Sequence, residues 1–321
     1  MRGVTSQPCR PVTLWSVPTN EFALAGAGDE PVDLWRTLNS HGFAELPPMR
    51  LDEEARTLET TLPLARGRPR SVRIGTGPNG AGTIQVLGPA ASHARLALVR
   101  SGVLHILRMD EDLSAFYSAT ASDPDLAWVS RGAGRMLRSP TVFEDVVKTI
   151  CTTNCAWSAT ERMVGAIVEH LGERAPSAPS DGPWGRAFPP AETMAQAPES
   201  FYREVARAGY RGAYLIALAR SVAEQEIDLE ALATDRELPD DEVERRLLAL
   251  PGVGPYAAAH VMTTIGRYSR LILDSWTRPK YARLIGRKQV ADRTIERRFR
   301  RYGSYAGLAF WLFLTRDWVD E

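Results

Sequence analysis

Short stretches of apolar and β-branched residues alternate with turn signals along the first third of the chain. Four stretches have this character, at residues 12–17, 57–64, 71–76 and 83–88. Pro and Gly separate them, which favours hairpins between antiparallel strands. Apolar residues at helical spacing over residues 32–40 and 92–107 indicate two helices. The pattern predicts a domain of residues 1–118 in which helices cover an antiparallel sheet, an α+β arrangement.

The hydrophobic period becomes helical beyond about residue 123. Ser139 or Thr141 is placed to cap one helix, with Glu144 in position for a capping box. A polar break at residues 152–154 separates this helix from a second one over residues 158–171. An all-helical region of residues 119–321 is therefore expected, with the functional cleft between helical lobes.

Residues 173–199 contain six prolines and little periodicity, which predicts an exposed connection. Amphipathic helices follow on both sides of a tight turn at residues 209–212. An apolar helix over residues 306–318 closes the chain. Trp311, Thr315 and Trp318 would share one stripe of it, so this stripe can face either a cavity or the core.

The segment LPGVGPYAAAHV, which begins at Leu250, has the character of a tight turn that leads into a helix. Gly252 and Gly254 allow backbone torsions and close approaches that a β-carbon forbids, and Pro255 is suited to the first helical position. A preceding helix over residues 240–249 would complete a helix–hairpin–helix. Because free N–H groups and the helix dipole attract negative charge, the turn is a candidate phosphate site.

The 321-residue chain is neutral overall, and 44% hydrophobic with 24% charged residues is normal for a globular protein. Residues 245–316 differ, with 15 Lys plus Arg against three acidic residues, a local net charge of +12. A segment with such a surplus is typical of nucleic-acid binding, although a solvated basic helix also produces one. No run of 18 apolar residues and no signal peptide is found, so a cytoplasmic, nucleoid-associated protein without a membrane role is expected.

The hairpin, the apolar residues 271–273 and Asp274, twenty residues after Gly254, together resemble the helix–hairpin–helix superfamily of DNA glycosylases. The hairpin alone is less specific, because ligases, nucleases and polymerase subunits also use it. A sheet domain ahead of the helices is similar to the alkyl-purine and oxoguanine branches. The resemblance implies a partner, double-stranded DNA with a damaged base, and a monomer that excises that base in base excision repair.

The resemblance also assigns roles to particular residues. It implies that Gly252, Val253 and Gly254 hold the DNA backbone, and that a sodium or potassium ion can bind the carbonyls of Leu248, Leu250 and Val253. It further implies that Asp274 is the catalytic carboxylate, which would stabilise the positive charge that develops on the sugar. Taken alone, an Asp before a helix is usually an N-cap, and the two roles are compatible.

Tyr256 stands where the lyase-competent members of the superfamily carry a nucleophilic lysine. The whole chain contains three lysines, Lys148, Lys280 and Lys288. Water is therefore the expected nucleophile, and the expected product is an abasic site in an intact strand. An aromatic residue at this position is similar to the alkyl-purine branch, in which electron-rich side chains face a cationic base.

Four further residues are candidates with two interpretations each. His260 and Trp311 would line the base pocket, or would be buried parts of the core. The resemblance implies that Asn154 fills the gap left by the extruded base, whereas the residue type alone predicts that it ends a helix, which Asn does well. It likewise implies that Tyr210 inserts as a wedge between base pairs, and the alternative is that Tyr210 packs on its own turn.

The chain has three cysteines, Cys9, Cys151 and Cys155, which is too few for a four-cysteine metal site. Some members of the superfamily carry an iron–sulfur cluster near the C-terminus. Because no cysteine follows Cys155, no iron–sulfur cluster and no other cofactor is expected. Two other functions remain open, a glycosylase/lyase for oxidised purines and a non-catalytic protein that binds damaged DNA.

Overall fold

The computed structural model describes residues 20–176 and 178–319. A five-stranded antiparallel sheet lies at the N-terminal end of this part. Its strands are β1 Asn20–Phe22, β2 Arg50–Asp52, β3 Thr57–Leu62, β4 Arg70–Thr76 and β5 Gly82–Val86. Their order across the sheet is β1-β5-β4-β3-β2. Three of the four predicted strands are thus confirmed, and the fourth, at residues 12–17, lies outside the described residues. The short strands β1 and β2 were not predicted from the alternation.

Two helices pack on one face of the sheet, α1 Leu34–Leu38 and α2 His93–Ile106. Alternate residues of β4 point to this face, where Val72 and Ile74 are fully buried together with Val99 and Val103 of α2. A 3-10 turn, Gly42–Glu45, leads from α1 towards β2. The predicted α+β class, a sheet followed by helices, is confirmed.

Helices make up most of the remaining described chain. They are α3 Ser114–Thr120, α4 Val142–Thr152, α5 Trp157–Leu171, α6 Ala191–Gln196, α7 Arg211–Ala223, α8 Glu230–Thr234, α9 Asp240–Leu248, α10 Pro255–Thr264, α11 Thr277–Leu284, α12 Asp292–Phe299 and α13 Ala306–Thr315. Shorter turns of helix occur at Ala127–Arg131, Phe201–Val205 and Arg300–Tyr305. The pair of helices predicted around the glycine turn is present as α9 and α10.

The helices build two hydrophobic cores. One core is built from residues of the helices from α4 through α10, together with Phe43 and Leu46 from the N-terminal region. The other joins the segment 113–136, which includes α3, to residues 259–314. The predicted domain boundary at residue 118 therefore falls inside a helix that packs against the C-terminal part of the chain.

Two local expectations differ from the structure. Thr141 caps α4 by accepting a hydrogen bond from the Glu144 N–H at 3.2 Å, but Glu144 turns away from the cap and meets Lys148 at 2.7 Å. The segment 173–199 is only partly an exposed connection, because it contains α6, whose Met194 is buried in the first helical core together with Phe188. Burial of these two apolar side chains stabilises α6. This helix has six residues, which are too few for a helical hydrophobic period to be recognised in the sequence.

Candidate active site

A cavity of about 990 Å³ is lined by residues of both helical cores and of the turn at residues 41–45. Two carboxylates line it, those of Glu45 and Asp274, and no Lys or Arg is among its described lining residues. Six aromatic residues share the walls, Phe43, Trp157, Tyr256, Trp276, Trp311 and Trp318. The cavity therefore combines electron-rich rings with negative charge.

Asp274 is half-buried at the cavity wall, three residues before the start of α11 at Thr277. Its Oδ1 accepts hydrogen bonds from the N–H groups of Trp276 at 2.8 Å and Thr277 at 2.6 Å. In return, Thr277 Oγ1 accepts a hydrogen bond from the Asp274 N–H at 2.8 Å. These three bonds fix the carboxylate as a helix cap, while Oδ2 bonds no residue in the described chain and is available to a ligand.

Tyr256 lies on the first turn of α10, with its hydroxyl 3.3 Å from Thr152 Oγ1. Thr152 donates its own proton to the Thr149 carbonyl at 2.7 Å, so the tyrosine is the donor in this pair. Burial raises the pKa of Tyr256, and the nearby charge of Asp274 raises it further. The phenol is therefore neutral, its hydroxyl is bound to the end of α4, and its ring lines the cavity.

His260 lines the cavity one turn after Tyr256, and it is also hydrogen-bonded. Its Nδ1 lies 3.4 Å from Thr149 Oγ1, whose own proton goes to the Asp145 carbonyl, so His260 donates from Nδ1. Its ring centre is 4.9 Å from that of Phe43. Burial lowers the pKa of His260 to about 4, so the ring is neutral at physiological pH and its Nε2 is an acceptor.

His41, from the turn that follows α1, is a second neutral histidine in the wall. Its Nε2 lies 2.6 Å from the Leu137 carbonyl, and its Nδ1 accepts from the Phe43 N–H at 3.3 Å. Both ring nitrogens are thus occupied in one tautomer. Burial lowers the pKa of His41 to about 3, and the neighbouring His260 contributes to this. A positive charge on either ring is disfavoured.

We expect the protein to lose stability on acidification because of these two histidines. An unfolded histidine binds a proton below about pH 6.5, whereas folded His41 and His260 resist it down to about pH 3 and 4. Stability is therefore full above pH 6.5 and declines as the pH falls towards 4, by a few kcal/mol. Urea unfolding from pH 8 to 4 measures this, and His41→Gln should flatten the profile. An equal slope in that variant would contradict the assignment.

Three tryptophans form a cluster in the cavity wall, and one of them, Trp276, is hydrogen-bonded to Asp274 through its backbone N–H. Trp311 is anchored by a hydrogen bond from Nε1 to the Ser40 carbonyl at 2.7 Å. Its ring centre lies 5.8 Å from that of Trp276 and 5.7 Å from that of Trp318. Helix α13 ends at Thr315, so the predicted stripe stops there, and Trp318 reaches the cavity from the segment beyond the helix.

The glycines of the turn between α9 and α10 have different constraints. Gly252 has φ of +79°, and a β-carbon there would lie 2.6 Å from Tyr214 Cδ2. Gly254 has an extended backbone, with φ of −101°, and a β-carbon there would meet nothing within 4 Å. The fold itself therefore requires glycine at position 252. At position 254 the space in front of the backbone is open to a ligand.

The segments that carry Asn154 and Tyr210 are in contact although they are distant in sequence. Asn154 follows α4 with φ of +48° and is an exposed part of the cavity lining, so both of its interpretations fit. Tyr210 is 54% exposed and is not among the lining residues. Arg211 connects them, because its guanidinium stacks 4.6 Å from the Tyr210 ring and donates a hydrogen bond to the Thr153 carbonyl.

Several wall residues were not predicted from the sequence. They are His41, Gly42, Phe43, Glu45, Trp157 and Trp276. The first four lie more than 100 residues before α5 and the glycine turn, and only tertiary packing brings them to the cavity. Glu45 contacts Trp157 at the rim, where burial raises the pKa of its carboxyl. Of these six residues, only Trp276 could have been predicted from the sequence, because it lies two positions after Asp274.

The excess of positive charge in residues 245–316 is partly neutralised by acidic residues in the folded protein. Acidic residues on either side of the stretch, and others near residue 125, pair with many of its arginines and with Lys280. These pairs are Arg245 and Arg246 with Glu242, Arg267 with Asp240, Arg270 with Asp241 and Glu244, Lys280 with Asp317, Arg298 and Arg316 with Asp125, and Arg301 with Asp123. The net charge of +12 thus overstates the local field.

Within the described chain, no group of three or more His, Cys, Asp or Glu side chains is arranged to hold a metal ion. The cation expected on the carbonyls of Leu248, Leu250 and Val253 stays a prediction. Across residues 20–176 and 178–319, no helix combines the length and apolar character that a membrane crossing requires.

Neither a protein-family model nor a curated protein matches this sequence. Solved structures do match over nearly the whole chain. A 3-methyladenine DNA glycosylase from Archaeoglobus fulgidus has a TM-score of 0.69 at 19% identity, covering 94% of this chain and 98% of its own. An 8-oxoguanine glycosylase/lyase from Clostridium acetobutylicum has a TM-score of 0.66 at 21% identity, covering 89% of this chain and 94% of its own.

The Clostridium enzyme in complex with double-stranded DNA containing cytosine opposite 8-oxoguanine matches equally well, with a TM-score of 0.66. Its identity is 21%, with 90% of this chain and 93% of that chain covered. These structural neighbours are thus a 3-methyladenine DNA glycosylase and an 8-oxoguanine glycosylase/lyase. At these identities the likeness establishes the shared fold.

Proposed function

We propose that the chain is a monofunctional DNA glycosylase that flips a damaged base out of double-stranded DNA and hydrolyses its N-glycosidic bond. Its preferred substrates are alkylated purines that carry a positive charge. One observation carries the proposal: Asp274 and Tyr256 face one aromatic cavity that holds two carboxylates and, among its described lining residues, no Lys or Arg. The shared fold with DNA glycosylases supports the reaction class.

The absence of a cationic lining residue bears on the substrate. Ring faces and carboxylates attract a cation, and a ring face over a cation contributes roughly 0.5–2 kcal/mol depending on desolvation. Both wall histidines are neutral, so neither offers an imidazolium proton to a leaving base. A purine that already carries positive charge leaves as a neutral base and needs no such proton. An uncharged lesion lacks this advantage.

The proposed nucleophile is water. Lys148 is fully buried against Glu144, and Lys280 pairs with Asp317 at 2.6 Å, so neither amine lines the cavity. Oδ2 of Asp274 is the free carboxylate oxygen, and it can orient a water molecule or stabilise the positive charge on the sugar. Water then bonds to C1′ as the bond from C1′ to the base nitrogen breaks, the base takes the electron pair, and the water releases one proton to Asp274 Oδ2 or to solvent.

The proposed DNA contacts surround the cavity. The open backbone at Gly254 and the N–H groups of α10 suit a phosphate. Asn154 and Tyr210 are then candidates to fill the gap that the flipped base leaves, and their link through Arg211 supports a shared role. DNA is bound by one copy of the chain in this proposal.

A panel of duplexes that differ only in one base tests the substrate class. We expect rapid formation of abasic sites at 7-methylguanine and 3-methyladenine, and slow formation at neutral deaminated or oxidised bases. Excision of 8-oxoguanine in preference to both alkylated purines would contradict the assignment. Binding to damaged DNA without any abasic site would instead favour a non-catalytic damage-binding protein.

Tyr256→Ala should weaken excision of cationic alkylated purines more than excision of neutral lesions. The reason is that the ring face, and not the hydroxyl, attracts the cation. Tyr256→Phe is the matched control, because it removes the contact with Thr152 but keeps the ring. Single-turnover rates on one cationic and one neutral lesion measure the difference. An equal loss on both lesions in Tyr256→Ala would reduce Tyr256 to a packing role.

A further inference from the structure

Arg70, the first residue of β4, is a buried cation without a protein partner in the described chain. Its side chain shares a face with Val72 and Ile74 and points under α2, and the residue is only 4% exposed. Its Nε and Nη1 are buried and have no hydrogen-bond partner. Removing a guanidinium from water without a compensating partner costs several kcal/mol, and a bound anion would offset this cost.

Two more arginines lie beside it. Arg95, in the first turn of α2, approaches the loop before β4, with its Nη2 3.4 Å from the position of a β-carbon on Gly67. Arg68 belongs to the same loop and donates a hydrogen bond to the Arg174 carbonyl at 2.9 Å. Both charges lower the pKa of Arg70, after the larger effect of burial. Like charges this close repel one another unless an anion lies between them.

The N-terminus of α2 adds to the positive field. This helix has 14 residues, its N-cap Ser92 makes no side-chain capping bond, and its first turn contains no acidic residue. The unpaired N–H groups of that turn attract an anion. Within the described part of the chain no carboxylate pairs with Arg68, Arg70 or Arg95, and residues 1–19 contain no Asp or Glu.

We propose that Arg68, Arg70, Arg95 and the N-terminus of α2 form a phosphate-binding site on the sheet domain, separate from the base cavity. Arg70 supplies the buried contact, and Arg95 and the helix supply the outer ones. The phosphate comes either from the backbone of DNA that extends past the lesion or from a free phosphate. The site does not depend on glycosylase activity.

Thermal unfolding at constant ionic strength tests the site, with inorganic phosphate replacing chloride. We expect phosphate to raise the wild-type Tm by roughly 3 °C or more at saturating concentration. Arg70→Met should abolish this response and leave the Tm in chloride unchanged or higher, because it removes an uncompensated buried charge. Arg95→Gln, at an exposed position, should weaken the response without affecting folding.

Arg73→Met is the matched control on the same strand. Arg73 lies on the opposite face, where it bonds Glu59 at 2.9 Å, and this variant should keep the phosphate response. The proposal is overturned if phosphate stabilises the wild type no more than chloride does, or if Arg70→Met keeps the response. A clear fall in the Tm of Arg70→Met in chloride would also overturn it, since Arg70 would then be a satisfied structural residue.

Binding of an undamaged duplex identifies the source of the phosphate. If DNA supplies it, Arg70→Met and Arg95→Gln will each weaken binding to all sequences alike and lower the salt slope by about 1. If a free phosphate supplies it, both variants will bind DNA as the wild type does while losing the phosphate response. Either result, together with that response, supports the site.

Discussion

Asp274→Asn should lower the single-turnover rate of base excision by roughly 100-fold or more, the magnitude typical of removing one electrostatic contact to a transition state. The variant should fold as the wild type does. Asn keeps an acceptor at the Oδ1 position, so the bonds from the Trp276 and Thr277 N–H groups remain. Only the negative charge beside the sugar is lost.

Asp33→Asn is the matched control for this change. Asp33 also caps a helix, α1, by accepting a hydrogen bond from the Arg36 N–H at 2.9 Å, and it does not line the base cavity. Its substitution should leave excision unchanged. Wild-type excision in Asp274→Asn, with the same Tm, would show that Asp274 is a cap and nothing more.

Gly254→Val should lower the affinity for duplex DNA by about tenfold or more, which corresponds to about 1.4 kcal/mol. The extended backbone at this position accepts valine, and its β-carbon meets nothing within 4 Å, so folding should be unaffected. The loss arises because the side chain occupies the space through which a phosphate approaches the backbone. Fluorescence anisotropy at several salt concentrations measures it, and the loss should be equal for damaged and undamaged duplexes.

Gly252 is the less informative glycine, because its positive φ and the contact with Tyr214 make any side chain disruptive to the turn itself. Gly165→Val in α5 is therefore the control for Gly254→Val, since a β-carbon at position 165 also meets nothing within 4 Å and this residue does not line the cavity. Unchanged DNA affinity in Gly254→Val would remove the turn from the interface.

The sequence predicted the features that depend on neighbouring residues. Strands β3 to β5 follow the alternation, and α9, the glycine turn and α10 follow from Gly252, Gly254 and Pro255. The cap formed by Asp274 is equally local. Tyr256, His260 and Asp274 line one cavity, and the roles expected of them stay predictions.

What the sequence missed depends on distant packing. The turn at residues 41–45 reaches the cavity only because Phe43 and Leu46 are buried in the first helical core. Part of the positive charge of residues 245–316 is neutralised by distant residues, because Asp123 and Asp125 pair with arginines more than 170 residues away along the chain. Nothing in the sequence around Arg70 predicts an anion site, because the site depends on the groups that α2 brings near it. The order of residues along a chain gives neither the distance between two side chains nor the partner of either.

A single-turnover reaction with a duplex that contains one 7-methylguanine, in which the released base and the DNA strand are quantified together, tests most directly whether the chain is a monofunctional glycosylase. We expect free 7-methylguanine and an intact strand carrying an abasic site in equal amounts, with no protein–DNA adduct after borohydride treatment. A nicked strand before alkali, a trapped adduct, or no released base would contradict a monofunctional glycosylase.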